Sequence, residues 1–553
     1  MRLWAAINKN ATGAIFLLDL ILKNCNIIDG TSEVPYYSDI GILENAIVKV
    51  GNLKDFKAVK TIDCAGLYAA PGFIDAHSHS DLNAFIENGF DSKIRQGVTT
   101  EVIGNCGYSV YPLAGEFLEK VGAEAAEYGV EVNWRSLAQF CEAVRKCGKL
   151  KTNLVPLAGL SAIRASACGY SAKPLSSSEL EKMKELTAQA MRDGASGVSS
   201  GLIYPPCCYF NPDEIVELLK IASQYGGLYA THMRSEGNAV LEAVNEAVSA
   251  ARKARIPLQI SHLKTAERHN WYKLDGVFEL IEEARKEGAD ITADRYPYLA
   301  SQTSLDMILP KWVFGSGDEL SLRRLGDPLI SMNIKKEIDN VHPMNSDYWE
   351  SVMVSKAHVK EFLKFEGMNF RQVYNIIKTS RPDCQKFDII DCLFYFLKKE
   401  KLKTSAIFFN MCERNLDRII DKPYVMIGSD ATARSTEGTL AKGKPHPRAF
   451  GTFVKYLTDY VKKKKNFSLS AAISKITSLP AKKFGLTARG RIAPAHFADI
   501  VIFDFQGLDD KSSFTSPVNY PDGIVYVIIN GGISFSKYND HPEIYSGELL
   551  LKN

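Results

Sequence analysis

The sequence predicts an α/β protein: a TIM-type (β/α)8 barrel with a small β-sandwich built from both chain termini and an inserted subdomain. Short apolar strands alternate with helix-like segments through the middle of the chain, which is the pattern of a parallel sheet. Both chain ends show alternating apolar runs interrupted by glycine and aspartate instead. One long segment interrupts the β–α alternation, which indicates an insertion.

The bulk composition describes a large globular protein. A chain of 553 residues is too long for one ordinary core, so we expect several packed units. Its 46% hydrophobic and 24% charged residues are usual for such a protein. A net charge of +3 is small for this length and gives no reason to expect nucleic acid or an anionic membrane as a partner.

The cysteines and the apolar runs bear on the compartment. Eleven cysteines without regular spacing do not form a disulfide framework, and they indicate a reducing environment. We find no apolar run of the ~18 residues that a membrane span needs, and the N-terminal stretch does not have the pattern of a signal peptide. We therefore expect a cytoplasmic protein, and its oligomeric state stays open.

The two ends of the chain have the same β-type pattern. "LLDLILKNCNIIDG" and "DIGILENAIVKVG" stand near the N-terminus, and "ADIVIFDF" and "GIVYVIING" stand near the C-terminus. Alternating apolar residues between turn residues predict strands. Because strand edges need partners, we expect residues 1–70 and 486–553 to pair into one small sheet domain.

Residues 71–485 carry the β–α alternation. "TNLVPLAG" precedes a helical segment with serines for an N-cap at residues 176–178 and Gly194 for a C-cap. Further strands are predicted at "GLYATHM", "IPLQISHLK", "ADITADRYPY" and "KPYVMIGSD". A span of roughly 400 residues suits a barrel with an insertion. Residues 310–420 exceed a connecting loop, so we expect an inserted subdomain there.

Several predicted strands end in residues that bind metals. These residues are His77, His79, Cys106, His232, His262 and Asp430. Each alone is a weak signal, because a lone histidine is more often structural, a buried cysteine usually only packs, and an aspartate after serine often caps a helix. The carboxyl ends of barrel strands converge on one mouth, however, and imidazole, thiolate and carboxylate are all ligands of transition metals.

The spacing within "PGFIDAHSHSD" has a mechanical reason. Residues two apart point the same way on an extended strand, so His77 and His79 can reach one metal ion. A bound Zn²⁺ lowers the pKa of water to about 7. A carboxylate beside it can take the proton of that water and pass it to the leaving group, and Asp430 is the natural candidate for this role.

These motifs resemble the amidohydrolase superfamily and, within it, the N-acyl-D-amino-acid deacylases, or D-aminoacylases. The resemblance covers about residues 18–535. The His-x-His motif marks only the superfamily, whereas "GNCG", "GLIYPP" and "HPRAFGTF" are specific to this branch. The resemblance implies that the two chain ends form a β-sandwich and that the insertion at residues 310–420 lies over the active site. It also implies zinc-dependent hydrolysis of N-acyl-D-amino acids, which releases a carboxylic acid and a D-amino acid.

The resemblance also implies roles for individual residues. It implies one tight zinc site and a weaker second site, with Asp430 as the catalytic residue. The tight ligands would be Cys106, His232 and His262, and the weaker ones His77 and His79. The substrate carboxylate would bind Lys264, Tyr296 and Arg448, while Tyr204 would either pack over the site or hydrogen-bond the substrate amide. Without the resemblance, the alternative interpretation of Lys264 and Arg448 is that they are solvated charges on the protein surface.

Three departures from the family pattern and several alternatives stay open. Leu160 replaces a usual histidine, Cys207 and Cys208 follow "IYPP", and Ala431 replaces a common glycine. Arg295 could meet an acidic substrate side chain or point outward. The alternative activities are those of an N-acyl-D-glutamate deacylase, a D-specific dipeptidase or a cyclic amidase, and the non-enzymatic alternative is a scaffold on a decayed barrel. The preferred acyl group and side chain stay open.

Overall fold

The computed structural model describes residues 17–31, 34–315, 317–539 and 544–552. The first sixteen residues of the predicted β-sandwich domain lie outside them. Within these ranges the strands are β1 (Leu17–Ile27), β2 (Tyr36–Leu43), β3 (Ala46–Gly51), β4 (Lys57–Asp63), β5 (Tyr68–Pro71), β6 (Phe73–Asp75), β7 (Val98–Ile103), β8 (Asn153–Pro156), β9 (Ala158–Gly159), β10 (Gly197–Gly201), β11 (Leu228–His232), β12 (Leu258–Ile260), β13 (Ile291–Arg295), β14 (Ser301–Ser304), β15 (Val352–Lys356), β16 (Ser405–Phe408), β17 (Val425–Ile427), β18 (Ile500–Phe503), β19 (Ile524–Ile529) and β20 (Gly532–Ser536).

The α-helices lie mostly between the parallel strands and within the insertion. Their bounds are Asp91–Ile94, Gly115–Ala126, Leu137–Cys147, Leu160–Cys168, Ser177–Arg192, Pro212–Gln224, Val240–Ala254, Leu274–Lys286, Asp318–Gly326, Pro328–Val341, Phe370–Ser380, Ile389–Lys399, Glu413–Asp421, Arg448–Tyr456, Leu469–Ile476 and Ser478–Lys483. Among the described residues, none of the helices is both long and apolar enough to cross a bilayer.

Strands from both ends of the chain form one eight-stranded sheet. Its order is β20-β19-β18-β5-β1-β2-β3, and β4 pairs with β1. The N-terminal and C-terminal parts meet where β5 pairs antiparallel with β18, with Pro71 opposite Ile500. Leu22, Ile27 and Ile502 contribute to the buried core of this sheet. The sheet therefore fixes both ends of the chain against the start of β6.

The parallel strands lie in two sheets that meet at both sides. One has the order β17-β13-β12-β11-β10-β9, and the other has β6-β7-β8. β8 and β9 are separated by a single residue. On the other side, the Asp430 amide donates to the His77 carbonyl at 2.7 Å, and Ser78 forms a parallel bridge with Ala431. The strand ends of the two sheets therefore lie side by side.

The local sequence explains the elements of this barrel. Every residue of β10, β11 and β13 is buried, as expected for parallel strands covered on both faces. The helix Ser177–Arg192 begins at a capping box, in which Ser176 and Glu179 satisfy each other's backbone amides. The predicted N-cap at Ser176 is therefore confirmed.

The segment between β13 and β17 has its own core. β14, β16 and β15 form an antiparallel sheet, and buried residues including Leu305, Trp349, Phe370 and Phe396 pack beneath it. Residues of β14 and the turn after it line the cavity at the carboxyl ends of the parallel strands. The insertion therefore supplies one wall of the candidate site.

Candidate metal centre and active site

A cavity of about 760 Å³ opens at the carboxyl ends of the parallel strands. Nine of the ten predicted site residues line it, namely His79, Cys106, Tyr204, His232, His262, Lys264, Tyr296, Asp430 and Arg448. The tenth, His77, is fully buried and contacts Cys106 and Asp430. The structure therefore brings all the predicted residues together in one region, from strands far apart in sequence.

Three of these residues have a left-handed backbone. The φ angles are +51° at Cys106, +36° at His262 and +51° at Asp430. Such a conformation costs a residue other than glycine about 1–3 kcal/mol, and it persists only where the surroundings hold it, often at active sites. Gly428 permits a close approach nearby, because a Cβ atom there would lie 2.6 Å from the Cβ of His77.

Cys106 is at the centre of a cluster of ligand-type atoms. Its Sγ lies 3.3 Å from His77 Nε2 and 3.5 Å from His262 Nε2. The donor atoms of His77, Cys106, His262 and Asp430 all lie within 4.8 Å of one another. Burial raises the pKa of the Cys106 thiol, but the positive charge of His77 and His262 outweighs it, and the pKa falls well below its usual value. Such a thiol favours the thiolate form, which binds metals.

His232 provides a test of whether a metal fits here. Both of its ring nitrogens are buried without a hydrogen-bond partner, which is costly unless another group satisfies them. Its ring centroid lies 4.3 Å from that of His262. Burial lowers the pKa of His232, which keeps the ring neutral, the form that binds metals. The soft sulfur and unpartnered imidazole nitrogens suit zinc.

Asp294 contacts the inner ring nitrogen of His77, and the sequence analysis did not predict this residue. Its Oδ1 lies 3.1 Å from His77 Nδ1 and accepts the His262 amide at 2.8 Å. Gln259 Nε2 donates to its Oδ2 at 2.8 Å. A carboxylate at Nδ1 keeps the proton there and leaves Nε2 free for the cluster. The signal was available, because Asp294 lies near the end of β13 in "ITADR".

Glu236 is a second residue that sequence reasoning missed, although it lies four residues after His232. Its Oε1 lies 2.8 Å from His262 Nδ1, and it forms an ion pair with Lys264. His232, Glu236 and His262 form a second group with ligand-type spacing. Burial raises the pKa of the Glu236 carboxyl, but Lys264 and the two histidines hold it well below its usual value.

Asp430, the fourth member of the Cys106 cluster, is held as a carboxylate. Its Oδ1 lies 3.1 Å from His79 Nε2, and Arg448 Nη1 donates to its Oδ2 at 2.7 Å. Burial raises its pKa, but Arg448, His262 and His79 outweigh burial and hold the pKa well below its usual value. Asp430 is therefore ionised at neutral pH and able to accept a proton.

Donor atoms without a hydrogen-bond partner lie beside this cluster in the cavity wall. Arg448 Nε and the Tyr296 hydroxyl are both buried without a hydrogen-bond partner, and the Arg448 guanidinium lies 4.6 Å from the Tyr296 ring centroid. Lys264 lies beside them in the lining. Donors of this kind suit a carboxylate. Tyr204 packs against His232, with ring centroids 5.0 Å apart, and hydrogen-bonds Thr303 at 3.1 Å.

The residues that the sequence left open lie outside the cavity lining. Arg295 is buried, with its guanidinium 4.1 Å from the Tyr296 ring centroid and Nη2 donating to the Tyr298 carbonyl. It therefore lies behind Tyr296 and not in the described cavity wall. Leu160 is fully buried in the barrel core. Burial raises the pKa of Cys207 to about 11, which makes its thiol unreactive.

The sequence of the chain is similar to sequences of known amidohydrolases. A model described as "Amidohydrolase family" matches residues 421–535. The chain is 31% identical to a D-aminoacylase of Alcaligenes xylosoxydans xylosoxydans over 513 aligned residues. The aligned region covers 93% of each of the two chains. The chain belongs to the D-aminoacylase family of amidohydrolases.

Two solved structures have the same architecture as this family member. One is an N-acyl-D-glutamate deacylase from Bordetella bronchiseptica in complex with zinc and a phosphonate inhibitor. It is 26% identical, with a TM-score of 0.80, over 97% of this chain and 100% of that one. The other is a D-aminoacylase with a binuclear metal centre, 28% identical, with a TM-score of 0.78 over the same shares. The predicted fold class is therefore confirmed.

Proposed function

We propose that the protein is a zinc-dependent hydrolase of N-acyl-D-amino acids that releases a carboxylic acid and a free D-amino acid. The observation that carries this proposal is the pairing of two features in one cavity. One is the cluster of Cys106 with histidines, and the other is the set of unpartnered donors at Arg448 and Tyr296. The relatives named D-aminoacylase and N-acyl-D-glutamate deacylase support the same substrate class.

The residues of the chain divide into two zinc sites in this proposal. Cys106, His232 and His262 hold the tight zinc ion, and His77 and His79 contribute to a weaker second site. The zinc-bound and binuclear structures of the relatives support both sites. Zinc, when bound, supplies a Lewis acid for the acyl carbonyl and lowers the pKa of a water molecule.

In this proposal, Asp430 transfers protons and three other residues bind the substrate carboxylate. Lys264, Tyr296 and Arg448 hold the substrate carboxylate, which fixes the amide next to Asp430. Asp430 accepts a proton from the attacking water as the C–O bond forms. It then gives that proton to the amine nitrogen as the C–N bond breaks. Tyr204 packs over His232 and closes one side of the cavity.

An acidic substrate side chain is a second candidate, favoured by a specific observation. Lys120 and Lys311 line the cavity, and neither has a carboxylate within ion-pair distance among the described residues. The side-chain carboxylate of an N-acyl-D-glutamate could pair with such a cation.

The described cysteines are all unpaired, which supports a reducing compartment such as the cytoplasm.

A hydrolysis screen tests the proposal. The zinc-loaded protein is assayed with N-acetyl, N-formyl and N-succinyl derivatives of D- and L-amino acids, with D-glutamate and D-leucine as the acidic and apolar side chains. We expect release of free amino acid from the D-derivatives only. Hydrolysis confined to L-derivatives would overturn the assignment of D-substrates, and preference for D-glutamate would select the acidic alternative.

A further inference from the structure

The inner nitrogen of His262 faces two groups of opposite charge. His262 Nδ1 lies 2.8 Å from Lys264 Nζ and 2.8 Å from Glu236 Oε1. Lys264 and Glu236 are themselves paired. Because an imidazole nitrogen is either a donor or an acceptor, only one of these two contacts can be its hydrogen bond at a time.

His262 can bind a metal ion through Nε2 only if Nε2 carries no proton. This requirement decides whether Nδ1 forms its hydrogen bond with Lys264 or with Glu236. His262 Nε2 lies 3.5 Å from Cys106 Sγ, on the cluster side of the ring. A neutral imidazole that gives the lone pair of Nε2 to a metal carries its proton on Nδ1. An ammonium group cannot accept this proton, whereas a carboxylate can. Glu236 is therefore the acceptor that fixes the tautomer in which His262 can bind metal.

The same carboxylate fixes the position of Lys264. The Lys264 side chain is only 3% exposed, and a buried ammonium needs a paired anion. Among the described residues, Glu236 is the carboxylate within ion-pair distance of it. The two cations of the carboxylate-binding region are thus each paired with an acid, Lys264 with Glu236 and Arg448 with Asp430.

The chain holds the Glu236 segment firmly. The Ala266 amide donates to the Glu236 carbonyl at 2.6 Å. Two residues earlier, Arg234 Nε and Nη2 donate to Glu246 at 2.9 and 2.8 Å, and Nη1 donates to the Cys208 carbonyl at 2.9 Å. The Glu236 side chain is therefore presented from an anchored loop, as a positioning residue must be.

We propose that Glu236 is a positioning residue that couples the two halves of the site: it holds His262 in the tautomer that binds zinc and holds Lys264 toward the substrate carboxylate. This inference rests on the proposed function, because it assigns His262 to zinc. Contacts of this kind around a ligating histidine typically change metal affinity about 10- to 100-fold. Glu236 itself does not touch the reacting atoms in this assignment.

Zinc affinity measured without substrate tests the inference. The Kd for zinc is obtained by competition with a chromophoric chelator for the wild-type protein, Glu236→Ala and Glu236→Gln. We expect Glu236→Ala to weaken zinc binding about 10- to 100-fold. Glu236→Gln should lie between the two, because its amide oxygen still accepts the Nδ1 proton but without the charge of a carboxylate.

A matched control separates positioning from general damage to the cavity. Glu267 also lines the cavity but contacts His269 at 3.4 Å and not the cluster, so Glu267→Ala should leave the Kd for zinc unchanged. An unchanged Kd in Glu236→Ala would overturn the inference while leaving the proposed function standing. Equal losses in Glu236→Ala and Glu267→Ala would also overturn it. A wild-type protein that binds no zinc would overturn both.

Discussion

Lys93 lies at the base of the active site in a fully buried ionic network. Its Nζ donates to Asp75 Oδ2 and Ser429 Oγ at 2.6 Å and lies 3.5 Å from Glu101 Oε2. All three charged side chains are 0% exposed. The substitution Lys93→Met keeps the length of the side chain and removes the cation. It therefore leaves two buried carboxylates without an ion-pair partner among the described residues.

The structure sets the size of the expected loss. Removing one partner of a buried ion pair costs about 3–5 kcal/mol, because an uncompensated charge stays buried. Asp75 and Glu101 keep hydrogen bonds from Ser429 and from Ser78 and Ser80, which places the loss in the lower part of that range. We expect Lys93→Met to lower the free energy of unfolding by about 3 kcal/mol.

Urea unfolding of the zinc-loaded protein, followed by circular dichroism, measures this loss. Lys184→Met is the matched control, because Lys184 also contacts two carboxylates, Glu181 at 2.9 Å and Glu217 at 3.3 Å, but near the surface. Such exposed pairs contribute about 0–1 kcal/mol. A Lys93→Met protein as stable as the Lys184→Met control would refute the reasoning.

Three further predictions concern the proposed catalytic base, a proposed zinc ligand and a buried lysine. Asp430→Asn should lower kcat about 10²- to 10⁴-fold at unchanged zinc content, because an amide cannot accept the proton of water. Cys106→Ser should lower zinc content after dialysis, because a hydroxyl is a poorer zinc ligand than a thiolate. Burial lowers the pKa of Lys475 to about 8, so the unfolded chain binds this proton more tightly. Stability relative to Lys475→Met should therefore rise by about 3 kcal/mol as pH rises from 8 to 10.5.

Each of these predictions has an outcome that contradicts it. Normal turnover in Asp430→Asn would show that another group takes the proton. Full zinc content in Cys106→Ser would remove the thiolate from the tight site. A difference between wild type and Lys475→Met that stays constant across this pH range would show that the Lys475 ammonium stays charged in the folded protein.

The sequence by itself determined the β–α order and most of the ligand-type residues. Strand periodicity is a local property, so the polar residues at or shortly after the end of each strand, such as His232 or Cys106, can be identified from the sequence. Because parallel strands share one carboxyl edge, these residues were expected to converge, and they line or contact one cavity.

Only the tertiary structure decided the place of the charged residues that the sequence left open or missed. Arg448, which the family resemblance assigned to the site, lines the cavity, whereas Arg295, which the sequence left open, is buried behind Tyr296. Asp294 was recognised from its contact with His77, which lies 217 residues away in the sequence. Glu236 was recognised from its contact with His262. Local patterns encode which face of an element is buried, whereas the partner of a buried charge depends on how distant segments pack.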